Sequence, residues 1–142
     1  MEPGVTVGRL DLDLDERFQR LRAELGVTAF GLNLMHLAPG ERGRIHRHAE
    51  QEEVYLVLHG TLSLELEGGE RHELPRGAAA RVAPDVRRQL VNRGAEPVRF
   101  LAVGGAGEHQ GRDGIAFASW EETEGRPPQE VPLPDDLPEP HV

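Results

Sequence analysis

The sequence contains no cysteine and no lysine. Without cysteine there is no disulfide framework, no thiolate metal site and no thiol nucleophile. Without lysine, Schiff-base chemistry and a phosphate-gripping lysine are excluded, and all 16 basic residues are arginine. Tyrosine occurs once, so Tyr55 is the only phenol available to a site. Long apolar runs are also missing, and the N-terminus, "MEPGVTVGRLDLDLDE", carries acids where a secretory leader has a basic region. These features predict a cytoplasmic protein with no membrane partner. A basic surface is lacking too. Of the net charge of −9, the segment 121–142 contributes −6, from seven acids against Arg126, which leaves −3 for the rest. Neither part suits a phosphate backbone, so nucleic acid is excluded as a partner.

What is present is glycine, proline and short alternating apolar runs, the pattern of many strands and turns. A length of 142 residues is about one domain. Residues 1–27 are a lead in which "DERFQRLRAELG" aligns Phe18, Leu21 and Leu25 on one stripe, with Gly26 as a stop, predicting a short helix that covers a sheet edge. From residue 28 to 104 the period is two, with breaks at Pro39-Gly40, Gly60, Gly68-Gly69, Pro75, Pro84-Asp85, Gly94 and Pro97. This predicts an all-β sandwich or barrel. Residues 105–142 form an acidic, proline-rich extension, read either as a disordered tail or as an extended strap carrying Trp120, Val131, Leu133 and Leu137 onto the body.

One stretch, "PGERGRIHRHAEQEEVYLVLHG" at 39–60, carries the chemistry. His46 and His48, two apart, project to one side of a strand. Glu53, Tyr55 and Val57 share a side of the next. Two imidazoles and a carboxylate converging inside a barrel form a set with open positions that suits divalent iron, manganese, nickel or zinc. Tyr55 is expected either to offer its hydroxyl to the pocket or to serve as ordinary packing. His36 shares the phase of Leu32 and Leu34 and reads as a core histidine or a substitute ligand. His59 and His72 read as solvent-facing, and His109 and His141 fall in loose sequence. Ser63 and Ser119 have no recognisable triad partner, and no G-x-S-x-G elbow occurs.

The stretch resembles the first motif of the cupins: glycine, five residues, His-x-His, three or four residues, glutamate, six residues, glycine. It matches at Gly40, His46, His48, Glu53 and Gly60. The resemblance implies a double-stranded β-helix, or jelly-roll barrel, with a pocket at its centre. The second cupin motif keeps its spacing from Gly77 to Asn92, but Ala83 and Asp85 replace its proline and glycine, and Arg88 replaces the histidine that in the family is the fourth metal ligand.

An arginine has no lone pair to give. A guanidinium about 4 Å from a divalent cation is repelled by roughly 8 kcal/mol at an effective dielectric of about 20. Three readings follow. In the first, His46, His48 and Glu53 hold a divalent metal while Arg88 bends outward to grip a substrate carboxylate or phosphate, as in a metal-dependent oxygenase or isomerase acting on a small acid. In the second, Arg88 pairs with Glu53 in a metal-free module that binds or senses an anion. In the third, the ionic centre is a scaffold only. The completeness of the first motif favours the metal. Open sheet edges further predict a homodimer.

Overall fold

The computed structural model describes residues 3–105 and 113–138. His109 and His141 lie outside the described residues. Among the described residues the strands are β1 (Phe18–Gln19), β2 (Gly31–Leu37), β3 (Ile45–His48), β4 (Glu52–His59), β5 (Leu62–Leu66), β6 (Arg71–Leu74), β7 (Ala79–Val82), β8 (Arg88–Val91), β9 (Val98–Gly105) and β10 (Gly114–Phe117), with one α-helix, α1 (Leu21–Leu25). They form two five-stranded antiparallel sheets, ordered β1-β2-β9-β4-β7 and β10-β3-β8-β5-β6. The two sheets face each other as the halves of a jelly-roll barrel. Among the described residues no helix is long and apolar enough to cross a membrane.

The alternation of the sequence sorts residues between the inside and outside of this barrel. Leu37, Tyr55, Val57, Leu62, Leu64, Leu90, Val98 and Phe100 are buried in one cluster between the sheets. A second cluster, Leu14, Leu21 and Leu34, joined by Leu32, Leu58 and Leu101, lies on the opposite face of the first sheet. Leu32, Leu34 and His36 therefore face the N-terminal segment, and Asn33, Met35 and Leu37 face the barrel. His36 is buried on the side away from Glu53, which removes it as a substitute ligand.

The helix is shorter than its apolar stripe predicts. Phe18 and Gln19 pair instead with Met35 and Leu34, and the helix starts only at Leu21. The physical reason is that β2 offers a free row of backbone donors and acceptors, and a five-residue helix has little stability of its own to compete. Gly26 ends the helix in the left-handed region, as expected.

The extension is a strap over its described length, not loose chain. β10 pairs with β3, so a strand from beyond the expected boundary at 104 completes the second sheet. Val131 is buried, Ala116 bridges to Arg126, and the Leu137 N–H donates to the Gly40 carbonyl at 2.8 Å. Arginines hold the strap through its backbone. Arg42 Nε donates to the Asp135 carbonyl at 2.7 Å, and Arg87 donates to the Trp120 and Glu122 carbonyls while lying over the Phe117 ring at 4.7 Å.

Gly60 turns β4 into β5 with φ +76°, and a Cβ there would sit 2.5 Å from the Pro97 carbonyl oxygen. Both the backbone conformation and the space demand glycine. Gly60→Ala is expected to cost about 2–4 kcal/mol, from left-handed strain plus displacement of the Pro97 turn. Urea unfolding measures this, and a change under about 0.5 kcal/mol would contradict it.

Candidate metal centre

β3 presents alternate side chains inward, so His46 and His48 enter the barrel from the second sheet. Glu53 enters from β4, the neighbour in sequence but a member of the opposite sheet. The three meet across the interior, not along paired strands. His46 Nε2 lies 3.6 Å from Glu53 Oε1, and His48 Nε2 lies 3.4 Å from the same oxygen. The imidazoles stand nearly perpendicular, at 88° with centroids 5.3 Å apart.

The surroundings set the protonation of the rings. His46 Nδ1 is 3.1 Å from the Arg44 carbonyl, which can only accept, so Nδ1 carries a hydrogen there and Nε2 of the neutral ring turns its lone pair inward. Neither nitrogen of His48 has a hydrogen-bond partner among the described residues. Asp113 Oδ2 stands 3.5 Å from His48 Nδ1, on the side away from Glu53. With a neutral ring, His46 Nε2 faces the Glu53 carboxylate acceptor to acceptor, an arrangement that a cation relieves. Burial opposes ionisation of Glu53. The neighbouring imidazoles of His46 and His48, when they carry protons, outweigh it and hold the carboxyl well below the ordinary carboxylate range.

Arg88 does not bend outward. Its side chain is 0% exposed, and its Cα stands opposite that of His46 in the β3–β8 pair. Nη2 donates to Glu53 Oε1 at 2.9 Å, Nε to the Tyr55 hydroxyl at 3.2 Å, and Nη1 to the Val86 and Pro84 carbonyls at 2.6 and 3.2 Å. The Tyr55 hydroxyl in turn donates to Glu53 Oε1 at 2.5 Å. Burial first, and then the Glu53 charge, push the Tyr55 phenol well above its ordinary range, so it stays a neutral donor. The same interior raises the Arg88 pKa: desolvation opposes its charge, but Tyr55 and Glu53 more than compensate. Arg88 thus staples Glu53 to the turn that replaces the second motif's proline and glycine. Glu53 Oε1 accepts these two hydrogen bonds and is also the carboxylate oxygen that faces both imidazoles.

Of the other residues considered, His59, His72 and Glu52 are exposed, and Glu52 pairs with Arg81. Asn92 ties strand ends together, donating to the Leu37 and Glu96 carbonyls at 2.9 and 2.7 Å. Asp113 was not foreseen. Its carboxylate accepts the N–H groups of Glu50 and Gln51, which fixes the β3–β4 turn beside His48. It stands in a glycine-rich stretch with no periodicity to place it, and only its position before an "IAF" strand hints at a role.

A cavity of about 520 Å³ opens onto His46, His48 and Glu53, with Met35, Leu37, Leu90 and Phe100 as apolar walls and with Arg17, Arg44 and residues of the strap completing it. Neither Arg88 nor Tyr55 lines it. A smaller one of about 210 Å³ meets His48 and Glu53 from the side of Arg22, Gln51 and Asp113.

The Cupin domain family model matches residues 33–104, which is half of the chain and contains all three candidate ligands. The chain is a cupin. Solved structures agree with it along most of their length. A sugar phosphate isomerase of the cupin superfamily from Silicibacter pomeroyi is 30% identical, covering 92% of this chain and 88% of that one with a TM-score of 0.64. A cupin protein from Bacteroides fragilis is 26% identical, covering 78% and 92% with a TM-score of 0.65. A Cupin 2 conserved barrel domain protein from Salinispora arenicola is 25% identical, covering 72% and 90% with a TM-score of 0.62. Comparison with curated proteins returns no match. Within the cupin barrel, one donor atom from each of His46, His48 and Glu53 lies within 4.8 Å of the others, close enough to hold a metal ion.

Proposed function

We propose that this cupin binds a small anionic molecule at a divalent metal ion held by His46, His48 and Glu53. The observation that carries the reading is the convergence of three donors from opposite sheets, with both nitrogens of His48 free of hydrogen bonds among the described residues. Two histidines and one carboxylate with open positions suit iron, manganese, nickel or zinc. When bound, such an ion polarises a carbonyl or hydroxyl oxygen of the substrate. The chain's own contribution is electrostatic. Because Arg88 already neutralises Glu53, the protein leaves the charge of a divalent ion uncancelled, and an anionic guest balances it. The Silicibacter pomeroyi relative supports a phosphorylated or carboxylated polyhydroxy compound as substrate class, and isomerisation as a reaction to test first.

A second reading is favoured by a specific contact. Glu53 Oε1 is saturated by Arg88 and Tyr55, as a metal-free anion-binding module would have it. Metal loading separates the two. Protein purified without an affinity tag and titrated with iron(II), manganese, nickel or zinc is expected to bind one ion per chain, and His46→Ala is expected to weaken binding by about 100-fold or more. Absence of stoichiometric binding by every one of these ions would leave the metal-free module standing.

A further inference from the structure

Arg88 does not line the cavity that opens onto His46, His48 and Glu53, but another arginine does. Arg44 stands one residue before β3, in phase with His46 and His48, and its side chain lines the same cavity. Its Nε donates to the Val131 carbonyl at 2.6 Å. Val131 is buried, so this carbonyl is a fixed anchor and the guanidinium is held in one orientation. The two terminal amino groups have no partner among the described residues. Those are the groups that grip an oxyanion side-on.

The other charges facing the cavity are answered. Arg17 donates to the Arg42 carbonyl at 2.9 Å and stands 3.6 Å from Glu41, and Glu53 is paired with Arg88. Among the described residues lining the cavity, Arg44 is thus the charge without a counter-ion. We propose that Arg44, oriented by the strap carbonyl of Val131, holds the phosphate or carboxylate of the guest, and that the strap is thereby part of the binding site. This rests on the small-anion reading of the barrel and deepens it. Successive same-face residues of a strand are about 7 Å apart. The anion on Arg44 therefore sits several bonds from any group at His46 and His48, which selects an extended guest such as a sugar phosphate or sugar acid over a compact one such as oxalate.

Calorimetric titration of manganese-loaded protein with ribose 5-phosphate, ribonate and ribose tests this. Wild type is expected to prefer at least one of the two anions over ribose, and whichever is preferred identifies phosphate or carboxylate as the group recognised. Arg44→Gln is expected to weaken binding of that anion by about 10- to 100-fold, the loss of a charge-assisted pair, with manganese affinity and ribose binding unchanged. Arg44→Lys should fall between the two. The proposal is overturned if wild type prefers neither anion, if Arg44→Gln keeps the wild-type preference, or if it loses manganese affinity in parallel. Should manganese fail to bind wild type while an Arg44-dependent preference persists in metal-free protein, Arg44 keeps its role and the metal reading falls alone.

Discussion

Glu53→Ala is expected to lower the melting temperature by about 10–20 °C. Arg88 is wholly enclosed, and among the described residues Glu53 is its only carboxylate partner. Removing that partner leaves a buried guanidinium uncompensated, at a cost of about 3–5 kcal/mol, and each kcal/mol is worth roughly 3–4 °C for a chain of this size. The hydroxyl of Tyr55 loses its acceptor at the same time. Combining Glu53→Leu with Arg88→Met removes both charges and should recover most of the loss, because a buried pair is no more stable than apolar side chains that fill its volume. Calorimetry of the variants decides the matter. A Glu53→Ala protein melting within about 3 °C of wild type would mean the pair is not load-sharing in this way.

The pH dependence of the same comparison has a definite sign. The native Glu53 carboxyl ionises below its unfolded counterpart, so its contribution is present above the ordinary carboxylate range and is lost as pH falls through the depressed value. The gap between wild type and Glu53→Ala should close as pH falls below the ordinary carboxylate range.

Arg88→His is expected to raise metal affinity by about 100-fold or more. The substitution places an imidazole directly across from His46 and supplies the fourth ligand of the cupin motif. It also removes a permanent positive charge 2.9 Å from the carboxylate that must face the ion. Two decades correspond to about 2.7 kcal/mol, well below the several kcal/mol of repulsion that a nearby guanidinium exerts on a divalent ion. Metal-free Arg88→His should melt lower than wild type, since the Pro84 and Val86 carbonyls lose their donor, and saturating metal should restore it. Dialysis against a competing chelator measures the affinity. Equal affinity in the two proteins would show that Arg88 is not what limits the site.

The first motif was readable because its chemistry is local: a period of two places His46 and His48 on one face, and fixed turns bring β4 back toward them. That β4 belongs to the opposite sheet was not readable, since sheet membership depends on β9 and β8 pairing with strands far away in the chain. The phase of Leu32, Leu34 and His36 was legible as well, but not which face was interior. Leu14 and Leu21 make the outer face apolar too, and alternation cannot distinguish two covered sides. The strap was undecidable from composition for a different reason. Arg42, Arg44 and Arg87 hold it by backbone carbonyls, which every sequence possesses, and its acids and prolines say nothing of where those carbonyls lie.

The late arrival of β10 matters for how the molecule is made. Glu50 and Asp113, which meet beside His48, are separated by 63 residues. At a synthesis rate of about 5–20 residues per second, the outer edge of β3 waits roughly 3–13 seconds for its partner. Between the arrival of β8 and that of β10, β3 is an open ribbon edge next to two imidazoles, a form that invites pairing with a neighbour emerging from the same message.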